Sequence, residues 1–182
     1  MRSYFSIPLC LAAFLTLGQS AMQQTEKQPD TLVAEQLPGA WRLVSVETIR
    51  QNNEVTYPFY GKHPEGLLIY DRSGWMSVQI VSDPKPVVPN SGSREGVLAA
   101  TPQEKATAFD SYYAYFGRWT VDPSGASVTH HITQSLYPGE WGQNGVRALS
   151  INGNRLTLIS NVHEMGEDHK RRLVWERIQP TD

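Results

Sequence analysis

Hydrophobic and polar residues alternate with a period of two along most of the chain, which is typical of β-strands that bury one face. The clearest alternation runs over residues 41–49 (WRLVSVETI). Two further apolar runs, at residues 66–70 and 75–81, flank the turn-forming residues 71–74 (DRSG). The pattern therefore predicts strands joined by tight turns from about Leu37 onward.

Strands joined by turns continue through the second half of the chain. The remaining strands are predicted over residues 117–122, 126–136, 146–151, 155–161 (with a continuation from 158 to 163) and 171–178. The Asn-Gly pair within residues 152–154 favours the positive φ angles of a hairpin turn. Eight to ten strands in mostly hairpin order predict an all-β protein, an antiparallel barrel or sandwich.

One segment interrupts the strands. Residues 82–96 contain three prolines and are predicted to form a loop. Residues 101–104 (TPQE) then have the sequence of a helix start, with a capping box and proline in the first turn. The aromatic residues that would share one helical face are Phe109, Tyr112, Tyr113 and Phe116. A loop plus a short helix over residues 82–114 is therefore expected at one mouth of the barrel, as a plug or lid.

The N-terminus has the pattern of a signal peptide over residues 1–21. A basic residue, Arg2, precedes the apolar run 5–17 (FSIPLCLAAFLTL), and small residues follow at Gly18 and Ser20. The run is too short to cross a bilayer, so the pattern predicts cleavage and a secreted or periplasmic protein without stable membrane insertion. The polar residues 22–36 are expected to form a flexible leader.

Composition and charge narrow the classes of function. With 182 residues and 40% hydrophobic residues, the chain fits one domain with its own core. The formal net charge of −2 gives no reason to expect nucleic-acid binding. Cys10 is the chain's single cysteine and lies in the predicted signal peptide, so the mature protein would have neither disulfides nor thiol chemistry.

The first and last strands contain residues that can meet if the barrel closes. Trp41 lies on the first strand, and Arg177 lies on the last strand. The Trp41 indole could plug one end of the barrel, with the Arg177 guanidinium over it as a cation–π cover. Together with Gly39, this arrangement resembles that of lipocalins (calycins), in which a Gly-x-Trp sequence opens the first strand and an arginine ends the last.

A longer series of motifs makes the resemblance more specific. In chain order these are residues 37–43 (LPGAWRL), 64–70 (PEGLLIY), 73–77 (SGWMS), 113–117 (YAYFG), 128–131 (VTHH), 136–138 (LYP), Arg147 and 173–177 (LVWER). The series is similar to the lipocalin-like domain family of bacteria and fungi over about residues 37–178. The resemblance implies a lipocalin-like barrel with an interior cavity. It does not imply one activity, because such barrels host both binding proteins and enzymes.

Strand periodicity indicates which polar side chains would face that cavity. His130 and Gln134 share a face with Val128 and Ile132, whereas His131 is expected to point outward. The same reasoning places three more polar residues inside, namely Tyr70, Tyr115 and Arg147. These five residues are the predicted ligand-binding set, an anchor for a carboxylate, enol or carbonyl group. Purely structural roles, such as an ion pair or a hydrogen-bonded core histidine, remain open for each of them.

Two classes of function follow from this cavity. The first is an exported protein that binds a small apolar or amphipathic molecule. The alternative is a cofactor-independent isomerase, cyclase or hydratase, in which His130 moves a proton and Arg147 or a tyrosine stabilises an enolate-like oxygen. A weaker third hypothesis is haem binding through His130.

The sequence contains no recognisable catalytic, phosphate-binding or zinc-binding motif. His163, Glu164 and His169 lie at a predicted hairpin tip, where a solvated turn is favoured over a zinc site. No metal or cofactor is therefore expected. The pattern does not indicate an oligomeric state.

Overall fold

The fold is known from a computed structural model, which describes residues 29–57, 59–86, 93–164 and 166–179. Nine antiparallel strands form one sheet. Their bounds are β1 Gly39–Ile49, β2 Val55–Thr56, β3 Glu65–Tyr70, β4 Trp75–Val81, β5 Tyr112–Val121, β6 Ser127–Ser135, β7 Asn144–Asn152, β8 Arg155–Glu164 and β9 Glu167–Arg177. β3 to β9 pair in chain order, and β1 pairs with both β3 and β9. The result is a closed eight-stranded barrel with β2 as one extra strand, which confirms the predicted fold class.

The pairing of β1 with β9 closes the barrel. It extends from Trp41 opposite Arg177 to Ile49 opposite Lys170, with one bulge between Leu43 and Ser45. The length of β1 allows it to pair with β3 at its start and with β2 at its end along the other edge. Closure satisfies the backbone groups that an edge strand would leave unpaired.

The helices differ in part from the prediction. α1 (Pro29–Gln36) is helical and lies within residues 22–36, which were expected to form a flexible leader; residues 22–28 lie outside the described residues. α2 (Arg94–Ala99) is a short helix that begins within the predicted loop 82–96 and ends three residues beyond it. α3 (Pro102–Asp110) begins with the predicted capping box, in which Thr101 and Glu104 bond to each other's backbone N–H groups.

The predicted helical face of aromatic residues was wrong beyond Phe109. Tyr112, Tyr113 and Phe116 belong to β5, which begins two residues after α3 ends. Pairing of β5 with β4, in which Tyr113 lies opposite Ile80, determines this local structure. Tertiary pairing therefore overrides the local spacing of the aromatic side chains.

One end of the barrel is closed as the sequence predicts. The Arg177 guanidinium lies 4.0 Å from the centre of the buried Trp41 ring. Arg177 also donates hydrogen bonds to the carbonyl oxygens of Pro38 and Gln36. Gly39 makes this approach possible, because a Cβ there would lie 2.8 Å from Nη1 of Arg177.

The core of the barrel consists of buried apolar side chains. These are Leu37, Trp41, Leu43, Val46, Leu68, Tyr70, Met76, Val78, Ile80, Tyr115, Val128, Ile132, Leu156, Leu158 and Trp175. They come from β1, β3–β6, β8 and β9 and from the residue that follows α1.

The predicted signal peptide, residues 1–21, lies outside the described residues. Within the described ranges, no helix has both the length and the apolar character needed to cross a membrane.

Candidate ligand cavity in the barrel

A cavity of about 320 Å³ lies inside the barrel, a volume suited to a small organic molecule. Its apolar walls come from inward-facing residues of β1, β3, β4, β8 and β9. They include Val46, Leu68, Val78, Ile80, Leu158, Leu173 and Trp175. A larger volume, about 780 Å³, is an open groove lined by ends of β8 and β9 and by residues 49–51 and 53. The interior cavity is the better binding site, because it is more enclosed and contains convergent polar groups.

Four of the predicted site residues form one hydrogen-bonded chain. His130 is fully buried between two tyrosines. Its Nε2 lies 2.6 Å from the Tyr70 hydroxyl, and its Nδ1 lies 2.7 Å from the Tyr115 hydroxyl. Arg147 Nη2 donates to the Tyr115 hydroxyl at 3.3 Å. Tyr115, His130 and Arg147 line the cavity, whereas Tyr70 lies behind His130 and is absent from the lining.

Burial determines the protonation states of the hydrogen-bonded residues His130, Tyr70 and Tyr115. Burial, with a smaller contribution from the Arg147 charge, holds the pKa of His130 well below its ordinary value. Burial also raises the pKa of both Tyr70 and Tyr115. His130 is therefore neutral and both hydroxyls keep their protons at physiological pH.

Arg147 is a cation on the cavity wall. It is partly buried and lines the cavity, and its guanidinium carbon lies 6.0 Å from the centre of the Tyr115 ring. Among the described residues, no carboxylate lies within ion-pair distance of it. Gly145 leaves room for the side chain, since a Cβ there would lie 2.4 Å from Arg147 Nη1. Hydrogen-bonding capacity of the guanidinium thus remains for a bound molecule.

Glu140 supplies an acidic group to the same cavity. Its carboxylate accepts hydrogen bonds from the Tyr113 hydroxyl at 2.9 Å and from Ser135 Oγ at 2.6 Å. Burial, and then the charges of Tyr115 and Glu140, raise the pKa of Tyr113. The Tyr113 ring stacks on that of Tyr137, with the ring centres 5.6 Å apart. This part of the wall is therefore aromatic with a carboxylate beside it.

Arg171 and Glu164 form an ion pair on the cavity wall. Arg171 donates a hydrogen bond of 2.6 Å to Glu164, and its guanidinium lies 5.0 Å from the centre of the Phe59 ring. Tyr60 lines the cavity beside them. Burial raises the pKa of Tyr60 to about 12. The ion pair and these aromatic rings give the cavity an amphipathic lining.

The inward orientation predicted for Gln134 was wrong. Gln134 is exposed and does not line the cavity. Phe116 pairs with Gln134 while the next residue, Gly117, pairs with Ile132, so a β-bulge occurs at Thr133. One extra residue reverses the alternation of side chains that follow it. Ser135 consequently faces inward and contacts Glu140 in place of Gln134.

Several lining residues were missed in the sequence, although strand periodicity could have identified some of them. Arg171 shares a face with Leu173 and Trp175 on β9, and Glu164 shares one with Leu158 on β8. Glu164 was expected in a solvated turn, and Arg171 is the first residue of the predicted strand 171–178. Glu140 lies in a short 3₁₀ turn, Pro138–Glu140, where no periodicity applies.

The insertion contacts the barrel beside the cavity. Phe109 of α3 packs edge-to-face on Tyr137, with 5.5 Å between the ring centres. Tyr137 lines the cavity, but none of the described insertion residues before β5 does. A role of this segment as a lid stays a prediction.

The hairpin tip between β8 and β9 contains an exposed hydrogen-bonded pair. His163 Nδ1 lies 2.7 Å from Asp168 Oδ1. His169 Nε2 lies 3.4 Å from Glu164, which Arg171 already neutralises. Within the described part of the chain, no group of three or more His, Cys, Asp or Glu side chains could hold a metal ion.

Comparison with known proteins agrees with this architecture. The profile of the lipocalin-like domain family matches residues 38–178, which is most of the chain. A relative in Aspergillus oryzae, named 4'-hydroxy-3'-methoxypropiophenone carrier protein ppsC, is 32% identical over 112 residues. The match covers 57% of this chain and 96% of the relative. The chain therefore belongs to the lipocalin-like domain family.

Proposed function

We propose that this protein binds and carries a small amphipathic molecule, an aromatic compound with polar oxygen groups, inside the barrel. The observation that carries the proposal is the cavity of about 320 Å³, whose apolar and aromatic walls surround a few convergent polar groups. The name of the fungal relative supports an aromatic ketone as the type of ligand. The ring of such a compound would pack on Tyr113, Tyr137 and the apolar wall.

The geometry favours binding over catalysis by His130. A general base must reach the proton that it removes. Both ring nitrogens of His130 are already within hydrogen-bond distance of tyrosine hydroxyls, and the residue is fully buried. The same contacts leave neither nitrogen available to a haem iron. An isomerase, cyclase or hydratase would need a different proton acceptor.

Titration with 4'-hydroxy-3'-methoxypropiophenone tests the proposal. We expect binding with a dissociation constant on the order of 10 μM or below, detected by calorimetry. Ser160→Phe should abolish binding because Ser160 lines the cavity, whereas Asn161→Phe places the same ring on the outer face and should not. Circular dichroism would verify that both variants fold.

Native mass spectrometry of the protein from its own host gives an independent result. A carried molecule would add mass that is lost on denaturation. If the purified chain carries nothing and binds none of a panel of aryl ketones, phenols and fatty acids, the proposal is wrong.

We also propose that the protein is exported, on the basis of the apolar run at residues 5–17 and the small residues after it. Cleavage is expected after Ser20. N-terminal sequencing of protein from the periplasm or the medium would test this. An uncleaved chain found with the cytoplasmic fraction would contradict it.

A further inference from the structure

We infer that Tyr70 fixes the tautomer of His130 and thereby reserves the hydroxyl proton of Tyr115 for a carbonyl or carboxylate oxygen of the ligand. Tyr70 would be a positioning residue, and Tyr115 and Arg147 would contact the ligand. The inference rests on the proposed function, because it assigns the chemical class that the same cavity selects.

The argument begins with the number of donors and acceptors. A neutral histidine has one N–H donor and one nitrogen lone pair. Both of its ring nitrogens face a tyrosine hydroxyl, at 2.6 Å for Tyr70 and 2.7 Å for Tyr115. One tyrosine must therefore donate to His130, and the other must accept from it.

The two tautomers leave different protons without an acceptor. If Nε2 carried the proton, it would donate to the Tyr70 oxygen, and the Tyr70 proton would have no acceptor among the described residues. Tyr70 is 1% exposed and does not line the cavity, so this buried O–H would stay unsatisfied. An unsatisfied buried donor is a substantial cost in free energy.

If Nδ1 carries the proton, Tyr70 and both ring nitrogens of His130 have hydrogen-bond partners. Tyr70 donates to Nε2, and Nδ1–H donates to the Tyr115 oxygen. That oxygen accepts a second hydrogen bond from Arg147 at 3.3 Å, which occupies both of its lone pairs. The Tyr115 proton is the one left over, and Tyr115 lines the cavity. The geometry therefore favours the Nδ1–H tautomer.

The cavity wall then presents two donors side by side. One is the Tyr115 O–H, and the other is the Arg147 guanidinium, which no carboxylate of the described chain neutralises. A carbonyl or carboxylate oxygen has two lone pairs and can accept from both at once. A hydrocarbon of the same shape would leave both donors unpaired, which is a strong basis for discrimination.

Three probes test the ligand class. Propiophenone and propylbenzene differ only in the carbonyl group, and phenylacetate supplies a carboxylate. We expect propiophenone or phenylacetate to bind about fivefold or more tightly than propylbenzene. The tighter of the two identifies the oxygen as that of a ketone or of a carboxylate. Equal binding of all three would overturn the inference but leave the carrier function in place.

Variants test the role of each tyrosine. Tyr115→Phe should reduce the preference for the oxygenated probe about three- to tenfold by removing the donor. Tyr70→Phe removes the bias between the two His130 tautomers. We therefore expect the preference for the oxygenated probe over propylbenzene to fall about two- to fivefold, although Tyr70 does not line the cavity. Tyr112→Phe, on the outer face of β5, is the matched control and should change nothing. A Tyr70→Phe variant that weakens propylbenzene equally would show a merely structural role.

The tautomer can be observed directly in the unaltered protein. Long-range ¹⁵N–¹H NMR correlations of His130 should show a protonated Nδ1 and an unprotonated Nε2. A protonated Nε2 would overturn the inference whether or not any variant folds. If none of the probes binds, the carrier proposal fails for this class, and the NMR spectrum still tests the tautomer.

Discussion

Trp41 shows how one residue closes one end of the barrel. Its ring is completely buried, its Nε1 donates to the Leu37 carbonyl at 3.0 Å, and Arg177 covers the ring. Replacing a large buried ring leaves a void and removes many contacts, and both changes destabilise the fold. The indole therefore contributes to stability by filling the end of the barrel.

We expect Trp41→Ala to lower the free energy of unfolding by about 3–5 kcal/mol. Trp75 provides a matched control, since it is 44% exposed and contacts Arg118 at the surface. Trp75→Ala should cost about 1 kcal/mol or less. Urea unfolding of both variants measures the difference, and a Trp41→Ala loss no larger than that of Trp75→Ala would contradict the stabilising role of the plug.

At the same scale, the sequence predicts some site residues and misses others for physical reasons. Arg147 and His130 were identified because each lies on a regular strand, where side chains alternate. Gln134 was assigned to the wrong face because the bulge at Thr133 depends on pairing with β5, which a single strand does not reveal. Glu140 lies in a turn, so its inward position depends on the tertiary fold.

At the scale of elements, the hairpin from β5 to β6 is held by one carboxylate. Asp122 accepts hydrogen bonds from the backbone N–H groups of Ser124 and Ser127, at 2.8 and 2.5 Å, and from both serine hydroxyls. These bonds, with those of the Ser124 side chain first, hold the pKa of Asp122 well below its ordinary value. The turn is therefore stabilised by the charged form of the residue.

The lowered pKa of Asp122 makes the free energy of unfolding depend on pH in a predictable direction. The pKa of Asp122 is lower in the folded state, so its contribution to stability is present above the unfolded pKa of about 3.9 and lost as the pH falls below it. We expect the free energy of unfolding to decrease between about pH 5 and pH 2, and Asp122→Asn to reduce that decrease. Ser127→Ala should have a smaller effect of the same sign. An unchanged pH profile in Asp122→Asn would contradict the prediction.

Most of the elements themselves could be predicted from the sequence. Period-two alternation identified the long strands, and the Asn-Gly turn at residues 152–154 joins β7 to β8 as expected. The start of β5 could not be predicted, because Tyr112, Tyr113 and Phe116 fit a helical face as well as a strand. β2 is only two residues long and has too little pattern to recognise.

At the scale of the whole molecule, the barrel combines local and distant pairing. Each strand from β3 to β9 pairs with its neighbour in the chain. The pairing of β1 with β9, which closes the barrel, instead joins residues more than 120 positions apart, from Trp41–Arg177 to Ile49–Lys170. Closure was predictable because Trp41 and Arg177 resemble a known pairing. The volume of the cavity was not, since it depends on how the inward side chains pack together.

The separation between the closed end and the cavity wall has an evolutionary consequence. Trp41, Arg177 and Leu37 close the barrel, and none of them lines the cavity. The lining positions, such as Tyr115, Arg147 and Ser160, can therefore diverge while the determinants of closure persist. Proteins that share this barrel can acquire new ligand preferences through few substitutions, and the same positions are the natural targets for redesigning it as a receptor.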